Sequence, residues 1–135
     1  MIALTAIDHV GIAVEDLDES VERYRRLLGF DPTYRERVED QGVEEVLFAA
    51  GGSYIQLLGV LGPETPVGRY LANRGPGMHH DAHRVDDVAA ALDALRADGA
   101  RLIDEAPRLG SRNTLIAFVH PASMGGVLVE LVQER

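Results

Sequence analysis

The sequence predicts an α+β fold made of two pseudo-symmetric βαβββ modules, which together form a cupped mixed sheet with the helices outside. The main observation is an internal repeat. The stretch IDHVGIAVED at Ile7–Asp16 is matched later in the chain by HHDAHRVDD, where Asp87 corresponds to Asp16. Each copy reads as a strand, an acidic turn and a helix, and a repeated unit of this kind determines the architecture. The second observation is a segment rich in glycine and proline, Leu61–Gly77, that separates the two copies.

The chain has 135 residues, which is enough for one compact domain with a sizeable core. We therefore expect a single domain over residues 1–135. Within it, module 1 covers about residues 1–62, a linker about 63–77 and module 2 about 78–135.

Module 1 begins with a strand over Ile7–Val14, where alternation places His9 on a face lined by small residues. A helix follows, capped by Asp16 or Asp18 and ended by Gly29. Its predicted buried stripe consists of Val21, Tyr24, Leu27 and Leu28. The remaining predicted elements are an extended segment, a turn, two strands joined by a Gly-Gly hairpin, and a short helix in the linker: Phe30–Arg37, 39–42, Val43–Ala49, Ser53–Val60 and Pro66–Asn73.

Module 2 repeats this order. A strand begins at Met78, and Asp86 or Asp87 caps a helix that runs through Asp98. The buried stripe predicted for this helix consists of Val88, Leu92 and Leu95. Three further strands are predicted at Ala100–Asp104, Thr114–Val119 and Val127–Val132.

The composition excludes several classes of protein. There is no cysteine, so any metal must bind to nitrogen and oxygen ligands. The net charge of −9 argues against nucleic-acid binding, which needs a basic surface. No stretch approaches the ~20 apolar residues of a membrane span, and the start of the sequence has no signal-peptide pattern. We expect a soluble, cytoplasmic protein.

Four polar residues interrupt the strand patterns at matching places: His9 and Gln56 in module 1, His80 and Glu130 in module 2. In each module the histidine lies on the first strand and the oxygen-bearing residue on the last. If the modules pack pseudo-symmetrically, two nitrogen and two oxygen ligands converge. Such a set suits a borderline divalent ion, among them cobalt, zinc, nickel, manganese and iron(II).

Each of the four has a simpler explanation when taken alone. A single histidine in a strand is more often a hydrogen-bonded core residue, and Gln56 is more often an edge amide. Glu130 is compatible with a solvent-facing edge strand, although an ionised carboxylate is rarely buried unless it is paired. The symmetric placement of all four favours a metal site.

Several stretches resemble the vicinal oxygen chelate superfamily and, within it, the methylmalonyl-CoA epimerases. They are IDHVGIAVEDLDESVERYRRLLGF, QGVEEV, YIQLL, GPGMHH and FVHPASMGGVLVELVQ, and together they span nearly the whole chain. The resemblance implies a metal-dependent epimerase that interconverts 2R and 2S methylmalonyl-CoA, or a close alkylmalonyl-CoA, through an enolate. It also implies a divalent metal, cobalt first, and a homodimer.

The resemblance assigns the metal ligands to His9, Gln56, His80 and Glu130. His80 is preferred to His79 because HDAHRVDD aligns with HVGIAVED. Glu45, within QGVEEV, takes the place of the catalytic carboxylate, and Glu130 takes that of the second acid/base. Without the resemblance, Glu45 would be interpreted as a solvated strand carboxylate like its neighbour Glu44.

Three alternatives remain open. A glyoxalase-type lyase shares the four-ligand site and the enolate chemistry. An extradiol dioxygenase uses two histidines and one glutamate, which leaves Gln56 without a role. A metal-free small-molecule-binding protein of the same fold has no reason to keep four ligand-type residues at matching positions.

Two further groups of residues carry open hypotheses. Arg108 and Arg112 are candidate contacts for the phosphates of CoA, as is Arg35 or Arg37. Asp81 and His83 project from the opposite face of the His80 strand, where they pair with one another or contact a neighbouring chain.

Overall fold

The computed structural model describes residues 2–135, which form eight strands, three α-helices and three short 3₁₀ turns. The strands are β1 (Ala6–Ala13), β2 (Pro32–Val38), β3 (Val43–Ala50), β4 (Ser53–Val60), β5 (Gly77–Arg84), β6 (Arg108–Leu109), β7 (Leu115–Val119) and β8 (Val129–Gln133). The helices are α1 (Leu17–Leu28), α2 (Pro66–Arg74) and α3 (Val88–Ala97). The chain divides into two compact units. The first unit is His9–His79, and the second consists of the residues up to Asp8 together with His80–Arg135.

The first unit contains four strands in the order β2-β3-β4-β1. The β2–β3 and β3–β4 pairs are antiparallel, whereas β1 runs parallel to β4. Apolar side chains cover both faces of these strands. One face packs with α1 around Val14, Val46, Phe48 and Leu57, and the other packs with α2 around Ala13, Val38, Val43, Leu58 and Val67. The predicted strands and the short linker helix of this part are confirmed, with shifts of one or two residues.

Helix α1 begins and ends as its sequence predicts, but part of the buried apolar stripe predicted for it is wrong. The Asp16 carboxylate accepts a hydrogen bond from the Glu19 amide at 3.0 Å, and Gly29 adopts the left-handed conformation with φ of 73°. Leu27 and Leu28, however, are 63% and 61% exposed. The aromatic ring of Phe48 is covered from another direction, since Phe30 lies 6.1 Å away after the chain has turned at the glycine.

The second unit contains four strands in the order β5-β8-β7-β6. Strand β5 runs parallel to β8, and β8–β7 and β7–β6 are antiparallel. Helix α3 is capped by Asp87 and buries Val88 and Leu92 against β7 and β8, as predicted. The other face of the strands carries a smaller apolar cluster of Ala82, Ile116, Phe118 and Val132.

The predicted strand at Ala100–Asp104 is wrong. Only an isolated bridge joins Leu102 to Val119, and the short β6 pairs with β7 instead. The reason lies at Phe118, whose carbonyl accepts from both Ile103 and Asp104 while its amide donates to the Asp104 carboxylate at 2.8 Å. Because these contacts converge on one residue of β7, the segment cannot continue as a regular ladder.

A fully buried carboxylate organises the interior of the second unit. Asp8 has no exposed surface and accepts from Arg84 Nε at 2.8 Å and from Arg112 Nη2 at 2.6 Å. The backbone of Arg112 has φ of 53°, which is rare for a side chain with a Cβ. The contact with Asp8 therefore holds the 110–114 loop in a conformation that an isolated loop would not favour.

We expect Asp8→Ala to lower the free energy of unfolding by about 3–5 kcal/mol, because it leaves two arginines without their buried counter-charge. Urea denaturation followed by circular dichroism measures the change. The matched control is Asp18→Ala, which removes an exposed partner of Arg35 and should cost only about 0–1 kcal/mol. Equal losses in the two variants would contradict the role given to Asp8.

Candidate metal and acid–base site

The first unit presents His9 and Gln56 on one face of two adjacent parallel strands. Gly11 lies directly opposite Gln56, and Tyr54 lies opposite His9, so the imidazole and the amide are diagonal neighbours. Both side chains are buried. The residue facing Gln56 has no side chain, which leaves room beside the amide.

The second unit repeats this arrangement with His80 and Glu130. Ala82 lies opposite Glu130, two residues after the histidine, just as Gly11 follows His9. His80 Nε2 lies 3.9 Å from Glu130 Oε2, and both side chains are buried. Each unit therefore places an imidazole diagonally across from an oxygen donor, with a small residue opposite that donor.

The structure favours His80 over His79, as the alignment of the two repeats predicts. The His79 ring packs edge-on against Tyr70, with ring centroids 5.0 Å apart. Burial lowers the pKa of His79 to about 4, so this imidazole is neutral near pH 7. His80, one residue later, lies on the opposite side of the strand, near Glu130.

Glu45 is not a solvated carboxylate. It is 1% exposed, whereas the side chain of the adjacent Glu44 is 29% exposed and pairs with Arg35 at 2.8 Å. Within the first unit, Gln56 Nε2 donates a hydrogen bond to Glu45 Oε2. This bond fixes the amide and directs the carboxylate toward the face that carries His9.

The other end of the Gln56 amide supplies a test of whether these residues fit a metal. Gln56 Oε1 is buried and has no hydrogen-bond partner among residues 2–135. A buried carbonyl oxygen without a partner costs free energy, and an amide oxygen is a suitable ligand for a divalent cation. The Gln56 amide oxygen therefore fits the role of a metal ligand.

The two units differ at one decisive position. Glu45 lies opposite Leu58, two residues beyond Gln56, and the matching position in the second unit is Ile116, opposite Val132. Ile116 is buried and apolar. The repeat thus provides ligand-type residues twice but a buried strand carboxylate at this position only once.

Phe118 is a site residue that the sequence analysis missed. It lies directly opposite Glu130 and packs edge-on against the His80 ring, with centroids 5.6 Å apart and planes at 84°. Its place in the repeat, opposite the last-strand ligand, is the signal that would have identified it. The ring limits how the His80 imidazole can turn.

The other polar candidates have partners of their own. His83 Nε2 lies 3.1 Å from Asp81 Oδ2, which is the first of the two arrangements expected for these residues. Arg35 binds Asp18 and Glu44, and these hydrogen bonds raise its pKa. Within the second unit, Arg112 pairs with Asp8. Arg37 pairs with Glu39 at the surface. Arg108 pairs with Asp104 and keeps 35% of its side chain accessible.

Comparison with known proteins identifies the family. The profile of the Glyoxalase/Bleomycin resistance protein/Dioxygenase superfamily matches residues 8–118, most of the chain. The chain belongs to this superfamily. Among superfamily members, an ethylmalonyl-CoA/methylmalonyl-CoA epimerase of Cereibacter sphaeroides is 35% identical over 129 residues, covering 94% of this chain and 96% of the relative. A lactoylglutathione lyase of Haemophilus influenzae is 30% identical, covering 94% of this chain and 91% of its own.

Solved structures of superfamily members agree with the fold. The methylmalonyl-CoA epimerase of Mycobacterium tuberculosis has a TM-score of 0.94 at 41% identity, covering 100% of this chain and 93% of its own. A methylmalonyl-CoA epimerase in complex with methylmalonyl-CoA and NH4+ has a TM-score of 0.95 at 42% identity, covering 98% and 96%. These similarities confirm the predicted α+β fold class. They also confirm the resemblance to the vicinal oxygen chelate superfamily and its methylmalonyl-CoA epimerases. Within residues 2–135, no helix combines the length and apolar character needed to cross a membrane.

The Gln56–Glu45 hydrogen bond can be measured by a double-mutant cycle of Gln56→Ala and Glu45→Ala. We expect a coupling free energy of about 1.5–3 kcal/mol in urea denaturation, because the acceptor is a buried charge. The control cycle uses Arg35 and Glu44, an ion pair nearer the surface, where about 0–1 kcal/mol is expected. A coupling for Gln56 and Glu45 no larger than the control would refute the contact.

Proposed function

We propose that this protein is a metal-dependent epimerase that interconverts the 2R and 2S forms of methylmalonyl-CoA or of a close alkylmalonyl-CoA. The observation that carries the proposal is the buried carboxylate of Glu45, hydrogen-bonded to Gln56 within the first unit. Removal of a proton beside a thioester requires a desolvated, oriented base. The similarity to epimerases over nearly the whole chain supports the choice of substrate.

The proposed metal ligands are two imidazoles, one amide oxygen and one carboxylate: His9, His80, Gln56 and Glu130. Each of the two histidines and the glutamate has one ligand atom to offer, and Gln56 Oε1, which has no hydrogen-bond partner among residues 2–135, supplies the fourth. The set suits a borderline divalent ion, with cobalt as first choice and manganese, nickel, zinc or iron as alternatives. When bound, the ion would polarise the thioester and carboxylate oxygens and so lower the cost of the enolate charge.

The chain's own residues account for the proton transfers. Glu45 takes the C2 proton from one face of the substrate, and Glu130 returns a proton to the other face, so the configuration inverts without net consumption of protons. Gln56 orients Glu45 through its amide hydrogen bond. The apolar side chains around Glu45, which include the fully buried Leu47 and Leu58, exclude water from the base.

A homodimer, which the resemblance implies, and a cytoplasmic location are also part of the proposal. Light scattering after size exclusion, at the protein concentration used for assay, tests the dimer.

A glyoxalase-type lyase is the second candidate function. It is favoured by the similarity to lactoylglutathione lyase over nearly the whole chain. Both activities pass through an enolate, so the shared residues do not separate them. Assay of the hemithioacetal of glutathione and methylglyoxal, beside methylmalonyl-CoA, discriminates: turnover of the hemithioacetal alone would replace the epimerase proposal.

The proposed mechanism makes a prediction for Glu45. In heavy water with metal present, the wild-type protein should introduce deuterium at C2 of methylmalonyl-CoA and invert it. Glu45→Gln should reduce inversion by about 10²–10⁴-fold, as expected for loss of a general base, while metal content is unchanged. NMR of the 2-position measures both exchange and inversion.

The matched control for this variant is Glu44→Gln, which changes the adjacent and more exposed carboxylate and should leave inversion unchanged. Exchange without inversion in Glu45→Gln, for one epimer only, would identify a second base on the opposite face. Near-normal inversion in Glu45→Gln would remove Glu45 from the mechanism.

The proposed ligands make a prediction for metal binding. The purified protein, loaded with cobalt and desalted, should hold about one ion per chain by elemental analysis, as a single four-ligand site requires. His80→Ala should lose most of this metal. His83→Ala, which removes a histidine whose partner is Asp81, should retain it. Equal retention in both variants would refute the ligand assignment.

A further inference from the structure

Arg108 is held in place by a carboxylate that is itself fixed to strand β7. Its Nε donates to Asp104 Oδ1 at 3.1 Å. The other oxygen of Asp104 accepts from the Phe118 amide at 2.8 Å. The guanidinium is therefore attached to the strand through one short chain of hydrogen bonds, although Arg108 itself is 35% exposed.

The guanidinium also lies close to the predicted ligands of the second unit. Its central carbon lies 5.7 Å from the centroid of the Phe118 ring, over the ring. The same ring packs edge-on against His80 and lies opposite Glu130. One aromatic ring thus separates Arg108 from the imidazole of His80.

The terminal nitrogens of Arg108 remain available for a ligand. In the part of the chain that the structure describes, the hydrogen bond donated by Arg108 comes from Nε alone. Arg96, by contrast, uses Nε, Nη1 and Nη2 on Asp93 and Glu105. A guanidinium that is fixed at Nε and lies over a ring presents its two terminal groups as a preorganised fork, which matches a carboxylate or a phosphate.

We propose that Arg108 binds an oxyanion of the substrate through its terminal nitrogens and so makes the site specific for anionic thioesters. The inference rests on the proposed function, because an alkylmalonyl-CoA carries two kinds of oxyanion: the carboxylate on C2 and the phosphates of CoA. Both accept two parallel N–H bonds, and the experiment below separates them. A thioester in which this oxyanion is replaced by a neutral or cationic group would lose the contact with Arg108.

The test measures dissociation constants by calorimetry for three probes, with metal present and without any need for turnover. Methylmalonyl-CoA carries both oxyanions, the methylmalonyl thioester of pantetheine carries only the carboxylate, and propionyl-CoA carries only the phosphates. Wild-type protein is compared with Arg108→Gln and Arg108→Lys. The matched control is Arg96→Gln, whose side chain is occupied by exposed carboxylates.

For methylmalonyl-CoA, Arg108→Gln should weaken binding by about 10- to 100-fold, the loss expected for hydrogen bonds to a charged group. Arg108→Lys should restore part of this loss, because it keeps the charge but not the fork. The same loss with the pantetheine thioester, and none with propionyl-CoA, assigns the carboxylate. The reverse pattern assigns the phosphates.

The inference is overturned if Arg108→Gln binds methylmalonyl-CoA as tightly as Arg96→Gln does. It is also overturned if binding of all three probes weakens equally, since that result indicates a structural role through Phe118. It fails as well if the wild-type protein binds none of the probes. Tight, Arg108-dependent binding without deuterium exchange would leave the inference standing and reject the epimerase proposal instead.

Discussion

Charged side chains are buried in both units, and each of them has to be compensated by its neighbours. Asp8, Glu45 and Glu130 are each at most 4% exposed, and an ionised carboxylate moved out of water costs several kcal/mol unless it is compensated. The compensation differs in each case. Asp8 receives two guanidinium groups, Glu45 receives the amide of Gln56, and Glu130 lies beside the imidazole of His80. The first arrangement neutralises the charge and stabilises the fold, and the other two hold the carboxylates to which the proposed function gives the proton transfers.

The internal repeat explains why the ligand-type residues occur in pairs, and it breaks down at the position of the proposed base. Gly11 and Ala82 occupy the same position in the two units, each opposite an oxygen donor on the last strand. Duplication of this geometry provides the scaffold for the proposed metal site. The duplicated positions diverge at Glu45 and Ile116, where one unit places a carboxylate and the other an apolar side chain.

Local patterns in the sequence predicted most elements because their causes are local. The cap at Asp16, the glycine stop at Gly29 and strand alternation act over a few residues. All three can therefore be predicted from the sequence. The errors arise where contacts between residues distant in the sequence determine the structure. The segment before Phe118 loses its strand ladder to contacts that converge on that residue. The pairing of Asp8 with Arg112 spans 104 positions in the chain, so no local pattern contains it. Likewise, burial of Glu45 depends on packing, not on its neighbours in sequence.

The identity of Gln56 follows from the residue beside it. An amide has a donor at one end and an acceptor at the other, so Gln56 can stabilise the carboxylate of Glu45 while its oxygen faces the opposite direction. A glutamate at this position would bring two negative charges to hydrogen-bonding distance, and one of them would have to take up a proton. Glu45 would then no longer be available as a base at neutral pH. In the proposed site, a neutral ligand at position 56 is therefore required by the base.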